Sequence, residues 1–329
     1  MRNTKPRVSL AMVVKNEAAG IRAAIESALP VVDDVLVHDT GSTDGTQDIA
    51  RELGARVVEE PWRADFSYHR NLSISEAKGD WIFILDGDEI LKEPADLRET
   101  IDAAWQMKLD GIFTYVCSVT ETDRVAERER QIRAFDRSRI RYKFPIHNQP
   151  FGHRGDKMVA CNAVVWAYYR QDDGKDRIGR ALPRLLAMLE ENEPGSEAHQ
   201  HALCFLARTY AQINAFPEMK HYARQALDNE PSKLGFANLW PVLIRATLAE
   251  DGPEAGIKVC DEALSHHPDY GDLWWWRARV DLWSWAHSCR EGSPYLFVPQ
   301  EGLGFVRNLY QAGDLLGMPF RPPVKEGAA

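Results

Sequence analysis

Two carboxylate residues, separated by a single residue, directly follow one apolar run of the sequence. The run is Trp81–Leu85, and Asp86, Gly87, Asp88 and Glu89 follow it directly. Carboxylates this close repel each other unless a positive group lies between them. Oxygen ligands of this kind bind divalent cations, and a diphosphate would complete the coordination. The alternative is an ordinary Asp-Gly turn, in which Gly87 supplies an unusual backbone angle and no metal is involved.

The first half of the chain predicts the elements that must hold this turn. Short apolar runs read as strands, and the stretches between them read as helices. Alternating strands and helices predict right-handed crossovers and an α/β fold with a mostly parallel sheet. The predicted strands are Val8–Val14, Val35–Val37, Ala55–Val58 and Trp81–Leu85, and the predicted helices are 18–28, 46–53 and 66–78.

Polar residues follow three of these strands. Glu17 comes soon after the first strand, Asp39 follows the second, and Asp86 and Asp88 follow the fourth. Ligands of such sheets bind beyond the carboxyl ends of the strands, so we expect these residues to share one crevice. Its composition suits a nucleoside diphosphate, with Arg70 balancing residual negative charge. Neither G-x-G-x-x-G after the first strand nor G-x-x-x-x-G-K-[ST] occurs, which removes the main support for Rossmann dinucleotide and P-loop sites.

Three blocks of the sequence resemble the family 2 glycosyltransferases of the GT-A fold. They are VSLAMVVKNE, HDTGSTDGT and RNLSISEAKGDWIFILDGDE, in the order and spacing of that family. The resemblance implies transfer of a sugar from a nucleotide donor, typically a UDP-sugar, with inversion. It also implies that Glu17 and Asp39 contact the donor nucleoside and that Arg70 faces its nucleotide or phosphates. Asp86 and Asp88 match the D-x-D motif, which binds Mn²⁺ or Mg²⁺, and Asp86 thereby also contacts the donor.

The segment 132–150 resembles a block in smaller bacterial members of the same family. There a strand leads through a basic turn to a histidine, which corresponds to His147. The resemblance implies that His147 is a third metal ligand or a phosphate contact, and neutral imidazole suits manganese beside carboxylates. Asn148 stands where glutamate is common in that block. The alternative is a loop histidine packed beside Pro145 and Pro150.

An inverting sugar transfer needs a base near the acceptor hydroxyl, and carboxylates usually supply it. Glu89 has the best position, beside the metal motif, although it can instead position the loop or the donor sugar. We predict a catalytic role for Glu89 or Asp136 without a choice between them. The full set of candidates is Glu89, Glu121, Asp123 and Asp136.

The second half of the chain changes to helices, which predicts two domains, 1–172 and 173–329. The positions of large and small residues over 201–231 resemble those on the two packed helices of a tetratricopeptide repeat, and ALDNEP at 226–231 recurs as ALSHHP at 263–268. The separation between the starts of these two copies, 226 and 263, is near the usual repeat period of ~34 residues. Such arrays present a concave surface for peptides or partner chains, and a homodimer through this domain is one expectation.

Five tryptophans near the end of this half raise the question of sugar stacking. Three of them are consecutive and cannot face one direction on a helix, so packing is the favoured interpretation. The final segment, 291–329, is expected either to pack over the catalytic domain or to mediate dimerisation. The tryptophans are Trp274, Trp275, Trp276, Trp283 and Trp285.

Composition limits the class of protein. A formal charge of -9 and a pI near 5.6 argue against broad attraction to nucleic acid or anionic membrane, although a local basic groove stays compatible with them. Five widely spaced cysteines without a C-x-x-C pair disfavour a disulfide framework and a structural zinc site. The N-terminus lacks a credible signal-peptide cleavage site and no apolar stretch is long enough to span a bilayer, so we expect a soluble, reduced, cytoplasmic protein.

The acceptor is the least determined part of the prediction. A repeat domain beside a family 2 core resembles bacterial enzymes that glycosylate peptides or proteins, so a peptide or protein acceptor ranks first. Glycans or lipid-linked saccharides rank next, and a modified DNA base ranks below them. The competing classes are a non-catalytic scaffold that binds partners through its repeats, and a nucleotidyltransferase. The latter would need a glycine-rich basic loop after the first strand, where Lys15-Asn16-Glu17 stands.

Overall fold

The computed structural model describes residues 5–119, 125–168 and 174–290. The chain divides into two compact units, Met1–Asp173 and Gly174–Ala329. The strands of the first unit are β1 (Val8–Val14), β2 (Asp34–Asp39), β3 (Arg56–Glu59), β4 (Trp81–Ile84), β5 (Glu89–Leu91), β6 (Gly111–Val119), β7 (Val125–Asp136), β8 (Arg141–Lys143), β9 (Gln149–Phe151) and β10 (Met158–Tyr168). Its α-helices are α1 (Ile21–Ala28), α2 (Thr46–Glu52), α3 (Phe66–Glu76) and α4 (Pro94–Gln106).

An eight-stranded sheet forms the first unit, with the strand order β3-β2-β1-β4-β7-β6-β10-β5. The pairs β1–β2, β1–β4, β2–β3 and β6–β10 are parallel, whereas β4–β7, β6–β7 and β5–β10 are antiparallel. Strands β8 and β9 form a separate hairpin. The mixed, mostly parallel sheet confirms the predicted α/β fold class.

Burial explains why these segments form a two-faced sheet. Six of the seven residues of β1 are buried, and the side chains of Trp81 and Phe83 in β4 are fully buried. One face of the sheet packs in a core with α1 and α4, and the other packs in a smaller core that includes Ile74 of α3. Apolar side chains on both faces are what a central strand of an α/β sheet requires.

Strands β6 and β7 reach beyond the end of β4. Only Ala134, Phe135 and Asp136 of β7 pair with β4, while the pairing of β7 with β6 continues to Val125. Because β6 runs parallel to β4, the free part of this ribbon rises past the carboxyl end of β4. It therefore borders the turn that carries Asp86 and Asp88.

The second unit is helical, as predicted. Its helices are α5 (Gly174–Glu191), α6 (Glu197–Gln212), α7 (Phe216–Asn229), α8 (Leu239–Asp251), α9 (Pro253–His266) and α10 (Gly271–Arg290), and each packs against the next. The repeated sequence makes a repeated contact: Trp240 Nε1 donates to Pro231 O at 3.4 Å, and Trp274 Nε1 donates to Pro268 O at 2.7 Å. This recurrence supports the tetratricopeptide-like reading of the extension.

The consecutive tryptophans of α10 face different directions. Trp276 packs against the helical core, whereas Trp275 is 41% exposed. The guanidinium of Arg279 lies 4.5 Å from the ring centroid of Trp275 and 4.7 Å from that of Trp276. The side chains of Trp283 and Trp285, and the whole of 291–329, lie outside the described residues.

Within the described ranges, no helix is both long and apolar enough to cross a membrane.

Candidate active site

The loops after β1 and β2 are joined by hydrogen bonds. Asn16 N donates to Ser42 Oγ at 2.8 Å, and Asn16 Oδ1 accepts from Thr43 N at 2.9 Å. Glu17 N donates to Thr46 Oγ1 at 2.8 Å. Asn16 has φ 56°, in the left-handed region that asparagine tolerates better than most residues. These hydrogen bonds hold Glu17 and the loop after Asp39 together as one unit.

Gly87 is in close contact with this unit. A Cβ added at Gly87 would lie 2.5 Å from Cγ and 2.7 Å from Cβ of Glu17, and a Cβ added at Gly20 would lie 2.5 Å from Gly87 O. Gly87 is not among the glycines with a positive φ. It is required instead because no side chain fits between the Asp86–Asp88 turn and Glu17. The structure therefore brings Glu17, Asp86 and Asp88 together.

Asp39 is fully buried at the end of β2. Its Oδ1 accepts hydrogen bonds from Gly41 N at 3.0 Å, Ser42 N at 2.8 Å and Gln47 Nε2 at 2.9 Å. Its Oδ2 is buried and has no hydrogen-bond partner in the structure. A buried acceptor left unpaired costs about 1–3 kcal/mol, so this oxygen fits a site that a ligand N–H or a water completes.

A buried cluster of charges lies on the other side of the turn. Arg70 Nη2 donates to Asp86 Oδ1 at 2.6 Å, and Arg133 Nη2 donates to Glu89 Oε1 at 2.5 Å. Arg133 Nη1 also lies 3.9 Å from Asp86 Oδ2. Glu89 Oε2 accepts from Asp86 N at 2.9 Å, so the cluster holds both the side chain and the backbone of Asp86.

Burial and charge act in opposite directions on the acidic members. Burial opposes ionisation of Asp86, but the guanidinium groups of Arg70 and Arg133 outweigh it and hold its pKa below the usual range. Burial raises the pKa of Glu89 to about 7, Asp86 and Asp88 act in the same direction, and Arg133 acts against them. Asp86 is thus held as a carboxylate, whereas Glu89 titrates near neutral pH.

Arg133 is the member of this cluster that sequence reasoning missed. It is 6% exposed in β7, between Ile132 and Ala134, where a strand in a core would carry an apolar side chain. A charged residue inside an apolar strand run was the available signal, since such a residue is almost never buried without a partner. Its partners come from the segment after β4, which the sequence alone does not bring beside β7.

Asn71 has a structural role next to Arg70. Its Oδ1 accepts from Tyr142 N and its Nδ2 donates to Tyr142 O, both at 2.8 Å. This pair of bonds fixes β8 against α3. The loop that follows β8 is tied to α3 as well, because Phe66 N donates to Pro145 O at 2.9 Å.

The residues predicted to hold a metal are only partly brought together. Asp86 and Asp88 flank Gly87, while His147 lies in the loop between β8 and β9 with φ 49°. Among the described residues, no group of three or more His, Cys, Asp or Glu side chains is placed to hold a metal ion. Two carboxylates nevertheless fit Mg²⁺ or Mn²⁺, which proteins commonly hold through one or two carboxylates plus substrate phosphates.

Of the two predicted catalytic carboxylates, Asp136 does not reach this site. Asp136 pairs with Trp81, the first residue of β4, because β7 runs antiparallel to β4. It lies at the opposite edge of the sheet, where Oδ1 accepts from Ser138 N at 2.8 Å and Ser138 Oγ at 2.7 Å. Glu89 does lie beside the turn, but it is 3% exposed and ion-paired. Glu121 and Asp123 fall outside the described residues.

Comparison with known proteins agrees with this geometry. Residues 9–164 match the family model described as glycosyl transferase family 2. A TPR repeat-containing protein of Synechococcus elongatus is 38% identical over 144 residues, which are 43% of this chain and 34% of that protein. An uncharacterized glycosyltransferase of Rickettsia bellii is 42% identical over 114 residues, 31% of this chain and 38% of that protein. The chain therefore spans about a third of the length of these relatives.

Two solved structures also match parts of this chain at low sequence identity. A mannosyltransferase from Pyrobaculum calidifontis, PcManGT, in complex with GDP-Man and Mn²⁺, is 16% identical, with a TM-score of 0.43. The match covers 80% of this chain and 88% of that one. Residues 1–349 of S. aureus TarS are 14% identical with a TM-score of 0.43, covering 80% of this chain and 92% of that one.

Proposed function

Residues 9–164 form a family 2 glycosyltransferase domain, and from this premise we propose that the chain transfers a sugar from a nucleoside diphosphate sugar to a peptide, protein or saccharide acceptor. The observation that carries the proposal is the contact between Glu17 and Gly87. It joins the loops suited to a nucleoside and the turn suited to a diphosphate in one crevice, as a nucleotide-sugar donor requires.

We propose that the nucleoside lies against Asp39 and Glu17. The unpaired Oδ2 of Asp39 is a hydrogen-bond acceptor for a base N–H, and uracil offers one such donor. Glu17 is close enough to the same turn to accept from ribose hydroxyls. UDP is accordingly the expected nucleotide.

We propose that Asp86 and Asp88 hold a divalent cation, Mg²⁺ or Mn²⁺, together with the donor phosphates. When bound, the cation supplies charge neutralisation for the departing nucleoside diphosphate. Arg70 holds Asp86 ionised, and its Nε and Nη1 are buried without hydrogen-bond partners in the structure. Arg70 is thereby also suited to face the phosphates, and we propose the same phosphate-facing role for His147 in place of metal ligation.

We propose that Glu89 is a positioning residue. Its two oxygens are used by Arg133 and by the backbone of Asp86, so it holds the turn in place. Asp136 has no part in this proposal because it lies at the far edge of the sheet. The acceptor hydroxyl would attack the anomeric carbon from the side opposite the diphosphate and give its proton to a general base. The bond from that carbon to the diphosphate oxygen would break and release the nucleoside diphosphate, which is the inverting course that the family resemblance implies.

The test is a screen of nucleotide-sugar donors, with and without Mn²⁺ or Mg²⁺, that follows release of the nucleoside diphosphate. Asp88→Ala is expected to abolish the metal-dependent release. Asp156→Ala is the matched control, because Asp156 is exposed and precedes the amino end of β10. Failure of every donor to bind or react would favour the non-catalytic scaffold.

We also propose a cytoplasmic location. Cys117, Cys161, Cys204 and Cys260 are free thiols in the structure, as is usual in a reducing compartment. Mass spectrometry of the protein from its native source, alkylated before and after reduction, tests this directly. Equal alkylation in both samples is expected, and reduction-dependent alkylation would contradict it.

A further inference from the structure

One face of the strands β5, β6, β7 and β10 carries exposed cations. Residues directly opposite each other on neighbouring strands share a face. Arg128, Cys117, Trp166 and Ile90 form one row across the four strands, and Arg130, Tyr115 and Val164 form the next, which Lys92 extends through a 2.8 Å hydrogen bond from its N to Val164 O. We call these two rows the cationic face.

The other face of the same strands is covered by the protein core. Val116, Val165 and Leu91 are buried there in the main core. On the cationic face, by contrast, Arg128, Arg130 and Lys92 are exposed, and the rings of Tyr115 and Trp166 are only partly buried.

The three cations contact aromatic rings. The guanidinium of Arg128 lies 3.5 Å from the ring centroid of Tyr115, Arg130 Nη2 donates to Tyr115 Oη at 2.9 Å, and Lys92 Nζ lies 4.0 Å from the ring centroid of Trp166.

None of the three forms an ion pair with a carboxylate that the structure describes. In a chain with a formal charge of -9, three exposed cations on one surface that pair with no described carboxylate are a local exception. Such a surface attracts an anion.

The cationic face is continuous with the candidate active site. Tyr168 N, two residues after Trp166 in β10, donates to Asp88 O at 3.1 Å, and Ala167 pairs with Glu89. A molecule bound along these rows therefore ends beside the turn at which the sugar donor is proposed to react. This is the position that an acceptor must occupy.

We propose that the cationic face binds the acceptor and that this acceptor is a saccharide carrying phosphate or carboxylate groups. The inference rests on the proposed transferase function. Arginine and lysine supply the charge-assisted hydrogen bonds that phosphate and carboxylate groups accept. The rings of Tyr115 and Trp166 hold these cations in place by cation–π contacts, and their partly exposed remainder supplies apolar surface beside a bound sugar ring. An acidic peptide would use the cations but has less use for the rings.

Binding of defined probes tests the proposal independently of catalysis. Saturation-transfer NMR on the full chain would compare glucose 6-phosphate, glucuronic acid, glucose and a hexaglutamate peptide. The two charged sugars are expected to bind at least about tenfold more tightly than glucose, which is about 1.4 kcal/mol. Equal binding of glucose, or binding of hexaglutamate without the charged sugars, would overturn the proposal. The relative binding of the phosphate and carboxylate probes tells the two anionic groups apart.

Two sets of variants locate the binding. Arg128→Gln with Arg130→Gln, and separately Lys92→Gln, are expected to weaken the charged sugars about tenfold or to abolish their signal. The matched control is Arg22→Gln with Arg51→Gln, which removes two exposed arginines from α1 and α2 and should leave binding unchanged. Wild-type binding by the first two variants would overturn the assignment to this face.

Donor hydrolysis separates this inference from the proposed function. The Arg128/Arg130 variant is expected to release nucleoside diphosphate from the donor to water at the wild-type rate, since neither residue contacts Asp39, Asp86 or Arg70. A wild-type protein without donor turnover would refute the transferase proposal itself, whatever the sugars do. Normal donor turnover with no preference for charged sugars would refute only the acceptor class.

Discussion

The two sides of the candidate site are built by different forces. On the nucleoside side, hydrogen bonds without an ion pair join two loops and leave one buried oxygen of Asp39 unpaired. On the turn side, Arg70 and Arg133 neutralise Asp86 and Glu89 within the protein. An unfilled acceptor is suited to a ligand, whereas mutually neutralised charges are suited to hold a backbone in place. Residues on the nucleoside side should therefore govern the affinity for a ligand, and residues on the turn side should govern the stability of the fold.

The largest loss in the free energy of unfolding should come from removing one charge of the ion-paired cluster on the turn side. Arg133→Met leaves Glu89 buried without its partner, which typically costs 3–5 kcal/mol. Urea unfolding at pH 8.5 measures this loss in the free energy of unfolding. At that pH, the buried Glu89 of the variant must either be ionised without a partner or bind a proton. The double variant Arg133→Met with Glu89→Gln should recover most of the loss, since glutamine keeps an acceptor for Asp86 N. No recovery would mean that Arg133 stabilises the fold by some contact other than Glu89.

The burial of Glu89 predicts a pH dependence of stability. The pKa of Glu89 is raised from 4.5 to about 7, so the folded chain keeps a proton that the unfolded chain releases between these values. The contribution of Glu89 is therefore fully present below pH 4.5 and is lost as the pH rises to about 7. At about 1.36 kcal/mol per pKa unit, wild type should lose about 3 kcal/mol relative to Glu89→Gln over this range.

Urea unfolding of both proteins at pH 5 and pH 8 measures that loss. Glu52→Gln is the control, because Glu52 is an exposed residue of α2 whose removal should shift both measurements equally. If the difference between wild type and Glu89→Gln stayed constant with pH, Glu89 would be ionised throughout and the ion pair with Arg133 would dominate over burial.

On the nucleoside side, the expected effect is on affinity. Asp39→Asn keeps an acceptor for Gly41 N and Ser42 N but turns the unpaired oxygen into an N–H₂ donor that faces the base N–H. The loss should be about 1.5–3 kcal/mol, or roughly 10- to 100-fold in the Kd of UDP by calorimetry, with little change in Tm. Asp48→Asn, an exposed change on α2, should bind UDP normally. Equal affinity for both variants would show that the base lies elsewhere.

These two sides also differ in how far the sequence predicts them. Glu17, Asp39 and Asp86 follow strands directly, so the order of strands along the chain was enough to place them at one edge. Arg133 depends on β7, which inserts antiparallel beside β4 after two intervening strands and a helix. Nothing local to residues 125–136 states which strand they will pair with, so the sequence could not tell that Asp136, a candidate base, lies at the far edge of the sheet.

The helical unit was predictable because the same local sequence pattern occurs in it twice. ALDNEP and ALSHHP each bring a proline carbonyl to the indole of a following tryptophan, so one local pattern occurs twice. In the first unit the turn itself was predictable but the reason for Gly87 was not. Sequence suggests backbone freedom for a glycine between two aspartates, whereas the close approach of Glu17 comes from a loop 70 residues earlier and is a property of the folded chain.

The contact between Glu17 and Gly87 gives the smallest expected effect. It tests the comparison sharply because it lies where the nucleoside side and the turn side meet. In Gly87→Ala, the new methyl would lie 2.5 Å from Glu17 Cγ, so Glu17 must move while the backbone angles stay allowed. We expect UDP affinity to fall about tenfold, or 1.4 kcal/mol, with a smaller change in the free energy of unfolding. Gly155→Ala is the control, since a Cβ there meets nothing within 4 Å. If Gly87→Ala instead lost stability but bound UDP normally, Glu17 would belong with the residues that hold the turn.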